Sequence, residues 1–106
     1  MENKDKLILL NLARESIRSK FEGKDLEINV QKISDALKQK RGTFVTLEIN
    51  GRLRGCIGHI APVQELYRDV IENARAAAFD DPRFIPLTEE ELEKIAIEIS
   101  ILSESK

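Results

Sequence analysis

The stretch FVTLEINGRLRGCIG, residues 44–58, organises the fold of this chain. Apolar and polar residues alternate on both sides of Asn50-Gly51, which is typical of two strands joined by a tight turn. Asn-Gly usually forms a two-residue type I′ turn, but that register would set Leu47 opposite Arg54 and mix apolar with charged side chains. We therefore predict a three-residue loop over residues 49–51, with Gly51 left-handed in a bulge.

The predicted register sorts the hairpin into two faces, because a slip of one residue moves every side chain to the other side of the sheet. The apolar and small residues of one face are Val45, Leu47, Leu53, Gly55 and Ile57. The pairs on the other face are Glu48 with Arg52, Thr46 with Arg54, and Phe44 with Cys56.

Two amphipathic helices flank this hairpin. Residues 6–21 and 62–79 carry apolar side chains at three- and four-residue spacing, and Gly23 is a typical helix stop. In the second helix, Tyr67 belongs to the apolar stripe and is predicted to lie in the core. Asp69 falls on the opposite, polar side of the same helix.

The C-terminal part of the sequence predicts one short helix and one strand. Thr88 and Glu91 have the spacing of a capping box, which opens a helix to about residue 94. Isoleucines then alternate over residues 95–101, as in a half-buried strand. Residues 24–42 are compatible with a short strand, an extended arm or a helical turn. The order of elements predicts an α+β fold, with a mainly antiparallel sheet of the hairpin and the C-terminal strand packed against helices.

Composition narrows the possible functions. The chain has 106 residues, which is enough for a single domain, and a net charge of -2 that makes nucleic-acid binding unlikely. One Cys and one His exclude an intramolecular disulfide and make a multi-thiolate or His-rich metal site improbable, so no metal site is predicted. No apolar run approaches the length of a membrane span and no export signal is visible, so we expect a cytoplasmic protein.

The surroundings of Cys56 contain the first candidate site. Gly55 and Gly58 weaken a strand unless the backbone there must stay free of side chains. One explanation is steric, since a helix could approach the backbone at this point. The other is functional, because open amide N–H groups can bind an anion and Arg54 could favour a Cys56 thiolate. A small buried hydrophobe is the simpler role for Cys56, and strand alternation places His59 on the other face.

Two further stretches have both a structural and a functional interpretation. Residues 81–84, Asp-Pro-Arg-Phe, could end a helix with Arg83 paired to an aspartate, or could place Arg83 at the edge of a cleft. Lys38, Lys40 and Arg41 are typical of a solvated basic turn. A phosphate or RNA contact is the alternative, but the aromatic residues needed for base stacking are scarce.

Several motifs together resemble one known family. They are the FVTL run of residues 44–47, the LRGCIG run of residues 53–58, Asn73-Ala74 with Ala77-Ala78, the residues 81–84, Pro86, and the run of residues 97–100. In this order they are similar to the AMMECR-type domain family, whose prokaryotic members include protein A of the AmmeMemoRadiSam system. Family domains continue beyond the strand at residues 95–102, so the chain is expected to be one AMMECR-like domain over residues 1–106 that is incomplete relative to the family.

The resemblance implies a soluble α+β protein and no established activity or cofactor. It implies a shared pathway with Memo-like and radical SAM proteins, whose genes tend to accompany those of the family. Its motif makes Arg54, Gly55, Cys56 and Gly58 the leading site candidates, with Arg83 and Glu98 in second place. His59 follows the motif without belonging to it.

Two functions therefore compete. The first is a Cys-dependent enzyme or catalytic partner, with Cys56 as nucleophile or redox centre and Arg54 as stabiliser of the thiolate or of an anion. The second is a non-catalytic binding or adaptor module that engages a protein partner or an anionic ligand through the LRGCIG cleft. Independently of both, the last strand could pair with a second copy and form a homodimer.

Overall fold

A computed structural model of the chain describes residues 1–103 and confirms the α+β class. Its three strands form one antiparallel sheet in the order β2-β1-β3, so that the first strand is central. The helices and strands are α1 (Asn3–Glu22), β1 (Thr43–Ile49), β2 (Arg52–His59), α2 (Leu66–Phe79), α3 (Glu89–Leu92) and β3 (Ala96–Ile101). Among the described residues, no helix is both long enough and apolar enough to cross a membrane.

Helix α1 ends where the sequence predicts. Gly23 adopts a left-handed conformation with φ of 67°, which glycine reaches without steric cost, and its amide N–H donates to the Lys20 carbonyl. The ambiguous segment that follows is not a strand. It contains two short 3₁₀ turns, Val30–Lys32 and Asp35–Lys38, and the second turn buries Leu37 in the core.

The predicted three-residue hairpin loop is wrong. Asn50 and Gly51 both have positive φ, 52° and 76°, and Ile49 pairs directly with Arg52, as in a two-residue turn. The register then shifts between Leu47 and Glu48, and Arg54 is the residue of β2 that has no cross-strand partner on β1. Asn and Gly tolerate the positive φ angles of the tight turn. The two-residue turn alone would place apolar and charged side chains on the same face, and a bulge further along the strands corrects this.

This bulge restores most of the predicted inner face of the hairpin. Leu47 lies opposite Gly55 and Val45 opposite Ile57, and these residues face the core. Leu53, predicted on the same face, precedes the bulge and is 41% exposed. The predicted cross-strand pairs are also wrong, because Thr46 faces Cys56 and Phe44 faces Gly58.

Helix α2 starts four residues later than predicted. Glu65 is extended, forms a bridge with Lys40, and the amide N–H of Leu66 donates to the Gln39 carbonyl at 2.8 Å. These contacts hold the chain in a non-helical conformation up to residue 65, so Val63 lies outside the helix and is 67% exposed. From Leu66 onward the apolar stripe is buried except for the partly buried Ile71, and Tyr67 lies in the core as predicted.

Helices α1 and α2 pack on one face of the sheet. Strand β3 follows the predicted alternation: Ile97, Ile99 and Ile101 pack against the core, whereas Glu98 and Ser100 are exposed on the other face. We call this other face the outer face. The capping box of Thr88 and Glu91 is formed as predicted and opens α3.

Candidate functional site

The outer face of the sheet carries a row of three polar side chains, Cys56, Thr46 and Glu98. Thr46 on the central strand pairs with Cys56 of β2 on one side and with Glu98 of β3 on the other. The Thr46 hydroxyl lies 3.3 Å from the Cys56 sulfur, and Cys56 is half-buried. Directly paired residues on one face of a sheet are close enough for their side chains to interact. We call this set the thiol row.

The backbone amide of Cys56 is not open to a ligand. It donates to Asp81 Oδ2 at 3.0 Å, and Asp81 is 4% exposed. Arg83 donates to the same carboxylate from its backbone N–H, from Nε and from Nη2, at 3.0, 3.1 and 2.8 Å. The hydrogen bonds from the Arg83 side chain, followed by those from the Cys56 and Arg83 amides, hold the pKa of Asp81 far below its usual range. Asp81 thus fastens the Asp-Pro-Arg-Phe stretch to β2.

Arg54 is directed away from the thiol row. From the bulge it donates to both carboxylate oxygens of Glu91 in α3, at 2.8 and 3.0 Å. This pairing raises the pKa of Arg54 and, through the same hydrogen bonds, lowers the pKa of Glu91 to about 2. The predicted stabiliser of a Cys56 thiolate therefore has a carboxylate partner of its own.

Arg83 is linked to Cys56 through Asp81, whose carboxylate accepts from the Cys56 amide and from the Arg83 guanidinium. The hydrogen bonds that Arg83 donates to Asp81 are the largest cause that raises the pKa of Arg83. Phe84 lies between the two arginines, with its ring centre 5.5 Å from the Arg83 guanidinium and 6.0 Å from that of Arg54. The structure thus places Glu98 on the same face as Cys56 with Thr46 between them, connects Arg83 to the Cys56 amide through Asp81, and pairs Arg54 with Glu91.

The two glycines of the motif meet protein atoms rather than open space. A Cβ atom at Gly55 would fall on the carbonyl oxygen of Ala77 in α2, and one at Gly58 would collide with the Phe44 ring and the Thr43 carbonyl. Of the two explanations for these glycines, the steric one describes this geometry. Helix α2 approaches β2 this closely because Gly55 has no side chain.

A second polar cluster, which the sequence interpretation did not identify, lies on the helix side of the sheet. His59 lies on this side, as strand alternation predicts. The distance from its Nδ1 atom to Asp69 Oδ1 is 2.8 Å, and the distance to Glu72 Oε2 is 4.0 Å. Gln64 Nε2 donates to the same Asp69 oxygen at 3.0 Å and to Glu72 Oε2 at 2.6 Å. We call these four residues the His59 cluster. They adjoin a groove of about 530 Å³.

Asp69 is the residue of this cluster that the sequence places wrongly. Helical periodicity put it on the polar side of α2, yet its side chain is 1% exposed. The ends of the strands pack against the first turns of α2, and Thr43 there donates its hydroxyl to Asp69 Oδ2 at 2.7 Å. The available signal was the spacing of Asp69 and Glu72, which lie on neighbouring positions of one helix face.

Comparison with known proteins agrees with this fold over nearly the whole chain. The profile of the AMMECR1 family matches residues 10–106. A protein of Methanothermobacter thermautotrophicus is 45% identical over 96 residues, covering 90% of this chain and 50% of its own length. Protein NEQ441 of Nanoarchaeum equitans is 38% identical over 96 residues, covering 90% of this chain and 53% of its own length.

A solved structure is also similar. The crystal structure of the uncharacterized protein PH0010 from Pyrococcus horikoshii superposes with a TM-score of 0.88 at 34% sequence identity. The superposition covers 97% of this chain and 53% of that one. The chain therefore spans about half the length of these relatives.

Proposed function

The chain belongs to the AMMECR1 family, and on that premise we propose that it is a binding module that engages a protein partner through the outer face of its sheet. The observation that carries this proposal is the position of the thiol row. Cys56, Thr46 and Glu98 lie side by side on the face that α1 and α2 leave uncovered. Cys56 and Thr46 are half-buried and Glu98 is exposed on this face, so their polar side chains are accessible to a protein partner.

The charges around the row favour a protein partner over an anionic ligand. Arg54 is held by Glu91 and Arg83 by Asp81, so both guanidinium groups next to the motif already have carboxylate partners. The amide of Cys56 is likewise engaged by Asp81. An anion would have to displace these carboxylates, whereas a protein segment can pack on the row without breaking either ion pair.

The pathway companions implied by the family suggest which partner to test. We expect a Memo-like protein or a radical SAM protein from the same organism to bind the chain, in the cytoplasm. Isothermal titration calorimetry with each purified protein measures this directly. Reversing the charge of the row with Glu98→Lys should weaken binding about tenfold or more, since a like charge or an unfilled contact at an interface centre costs upwards of about 1.4 kcal/mol.

Glu90→Lys is the matched control, because this substitution makes the same change of charge at an exposed position of α3. It should leave the affinity within about twofold of the original. Cys56→Ser should also preserve binding, because the hydroxyl fills nearly the same volume. Equal affinities for Glu98→Lys and the original chain, or no binding of either candidate protein, would contradict the proposal.

Thiol chemistry at Cys56 is the second candidate function, and one contact favours it: the Thr46 hydroxyl lies 3.3 Å from the sulfur. The rate of alkylation of Cys56 as a function of pH, compared with that of the denatured chain, distinguishes the two functions. A binding module should react no faster when folded than when denatured. A folded thiol that reacts faster at neutral pH would favour the catalytic function.

A further inference from the structure

The two oxygens of the buried Asp69 carboxylate have different surroundings. Oδ2 is anchored inside the protein by the Thr43 hydroxyl at 2.7 Å and the Asn73 amide nitrogen at 3.1 Å. Oδ1 faces His59 and Gln64 at the groove. This is the arrangement of a ligating carboxylate, in which one oxygen is fixed by hydrogen bonds while the other is presented to an ion.

The donor atoms of the cluster converge on one point. His59 Nδ1, one Asp69 oxygen and one Glu72 oxygen all lie within 4.8 Å of one another. The Gln64 amide nitrogen sits between the two carboxylates, 3.0 Å from Asp69 and 2.6 Å from Glu72, where a positive charge is most favourable. Turning that amide by 180° would present its oxygen, a good ligand for a divalent cation, in place of the nitrogen.

Asn73 provides an independent argument for a bound ion at this cluster. It is fully buried and lines the same groove, and its amide nitrogen is fixed by Thr43 and Asp69. Its oxygen Oδ1 has no hydrogen-bond partner. Buried acceptors are nearly always satisfied, and a water molecule held by a bound ion would supply the donor.

The basic residues of the groove do not occupy this point. Arg75 donates to the Ser16 carbonyl and to the Ser19 hydroxyl of α1. Arg68 lies over the Tyr67 ring and pairs with Glu65. The carboxylate of Glu72 therefore lines the groove, and the neutral amide of Gln64 lies between it and the buried carboxylate of Asp69.

We propose that His59, Asp69 and Glu72, with the oxygen of Gln64 as a further ligand, bind one divalent transition-metal cation such as Zn²⁺. An imidazole nitrogen among carboxylate ligands favours zinc, iron or cobalt over magnesium and calcium, which prefer oxygen ligands alone. The site lies on the side of the sheet opposite the thiol row, so it is independent of the proposed partner surface.

Calorimetric titration of the chain with Zn²⁺, together with the visible absorption of bound Co²⁺, tests this site. We expect saturable binding of one ion and a thermal unfolding midpoint that rises with Zn²⁺ concentration, because the ion binds the folded state. Mg²⁺ should bind much more weakly. Glu72→Gln and His59→Ala should each reduce the Zn²⁺ affinity tenfold or more. The side chains of Glu72 and His59 are 60% and 41% exposed, so both variants should fold.

Two control variants separate this site from other zinc ligands. Glu90→Gln removes an exposed carboxylate elsewhere and should leave the affinity unchanged. Cys56→Ser should also leave it unchanged, because the thiol lies on the outer face. Zn²⁺ binding that persists in Glu72→Gln and His59→Ala, that disappears in Cys56→Ser, or that does not saturate would overturn the proposal.

Discussion

Among the glycines of this chain, Gly55 is the one that a neighbouring backbone approaches most closely. The carbonyl oxygen of Ala77 occupies the position that a Cβ atom would take, and neither backbone can move without separating α2 from β2. We expect Gly55→Ala to lower the free energy of unfolding by about 3 kcal/mol or more, at the upper end of the cost of overpacking a core. Urea unfolding followed by circular dichroism measures the loss.

Gly51→Ala is the appropriate comparison for that variant. Gly51 has φ of 76° but nothing within 4 Å of an added Cβ, so the substitution costs only the strain of the left-handed conformation, about 1 kcal/mol. If Gly55→Ala proves no more costly than Gly51→Ala, the close approach of α2 does not explain the glycine.

Single residues also show where sequence reasoning ends. Tyr67 and Gly23 could be placed from periodicity and from glycine's tolerance of a left-handed turn, both of which are local properties. Arg54 could not be placed, because its partner Glu91 lies 37 positions away and only the folded chain brings them together. Asp69 could not be placed either. It is a charged residue that is buried because Thr43 and Asn73 donate hydrogen bonds to it, and the local sequence does not indicate these bonds.

At the scale of elements, α3 is held to the sheet by a pair of charges that responds to pH. Glu91 accepts from Arg54 and from the Thr88 amide, and its pKa is lowered to about 2. A carboxyl group whose pKa is lower in the folded state stabilises the fold above its ordinary value, near 4.5, and loses that stabilisation as the pH falls towards 2. The α3 attachment is therefore weakened only in acid.

Glu91→Gln tests this attachment. We expect it to reduce the free energy of unfolding at pH 7 by about 2 kcal/mol, because Arg54 loses its charged partner. The difference from the original chain should shrink between pH 4.5 and pH 2, where Glu91 itself becomes neutral. Urea unfolding at several pH values measures this difference in the free energy of unfolding, and Glu90→Gln is the control. A difference that stays constant down to pH 2 would be the contrary result.

The hairpin shows why the kinds of element could be predicted but their register could not. Alternation predicted both strands and most of the inner face, because these depend only on neighbouring residues. It did not indicate whether the extra residue lay in the turn or in the strand, since either position brings Leu47 and Gly55 to the core. The tight turn that Asn50 and Gly51 accept decides in favour of the bulge at Arg54.

At the scale of the whole molecule, β2 and β3 are the two edges of the described sheet. The amide of Cys56 on β2 is covered by Asp81, whereas β3 pairs only with β1. An uncovered edge strand presents unpaired backbone groups to another chain. We propose that two copies pair through β3, and expect the mass measured by light scattering to rise from monomer to dimer with concentration. A constant monomer mass over the whole series would refute this.

The position of β1 at the centre of the sheet has a consequence for the order in which a growing chain can fold. Its pairing with β2 crosses one short turn, so the hairpin can form as soon as residue 59 has left the ribosome. Its pairing with β3 joins Thr43 to Ile101 and must wait until residue 101 has been synthesised. Throughout that interval one edge of β1 stays open, and α1 and α2 shield the apolar side chains around it.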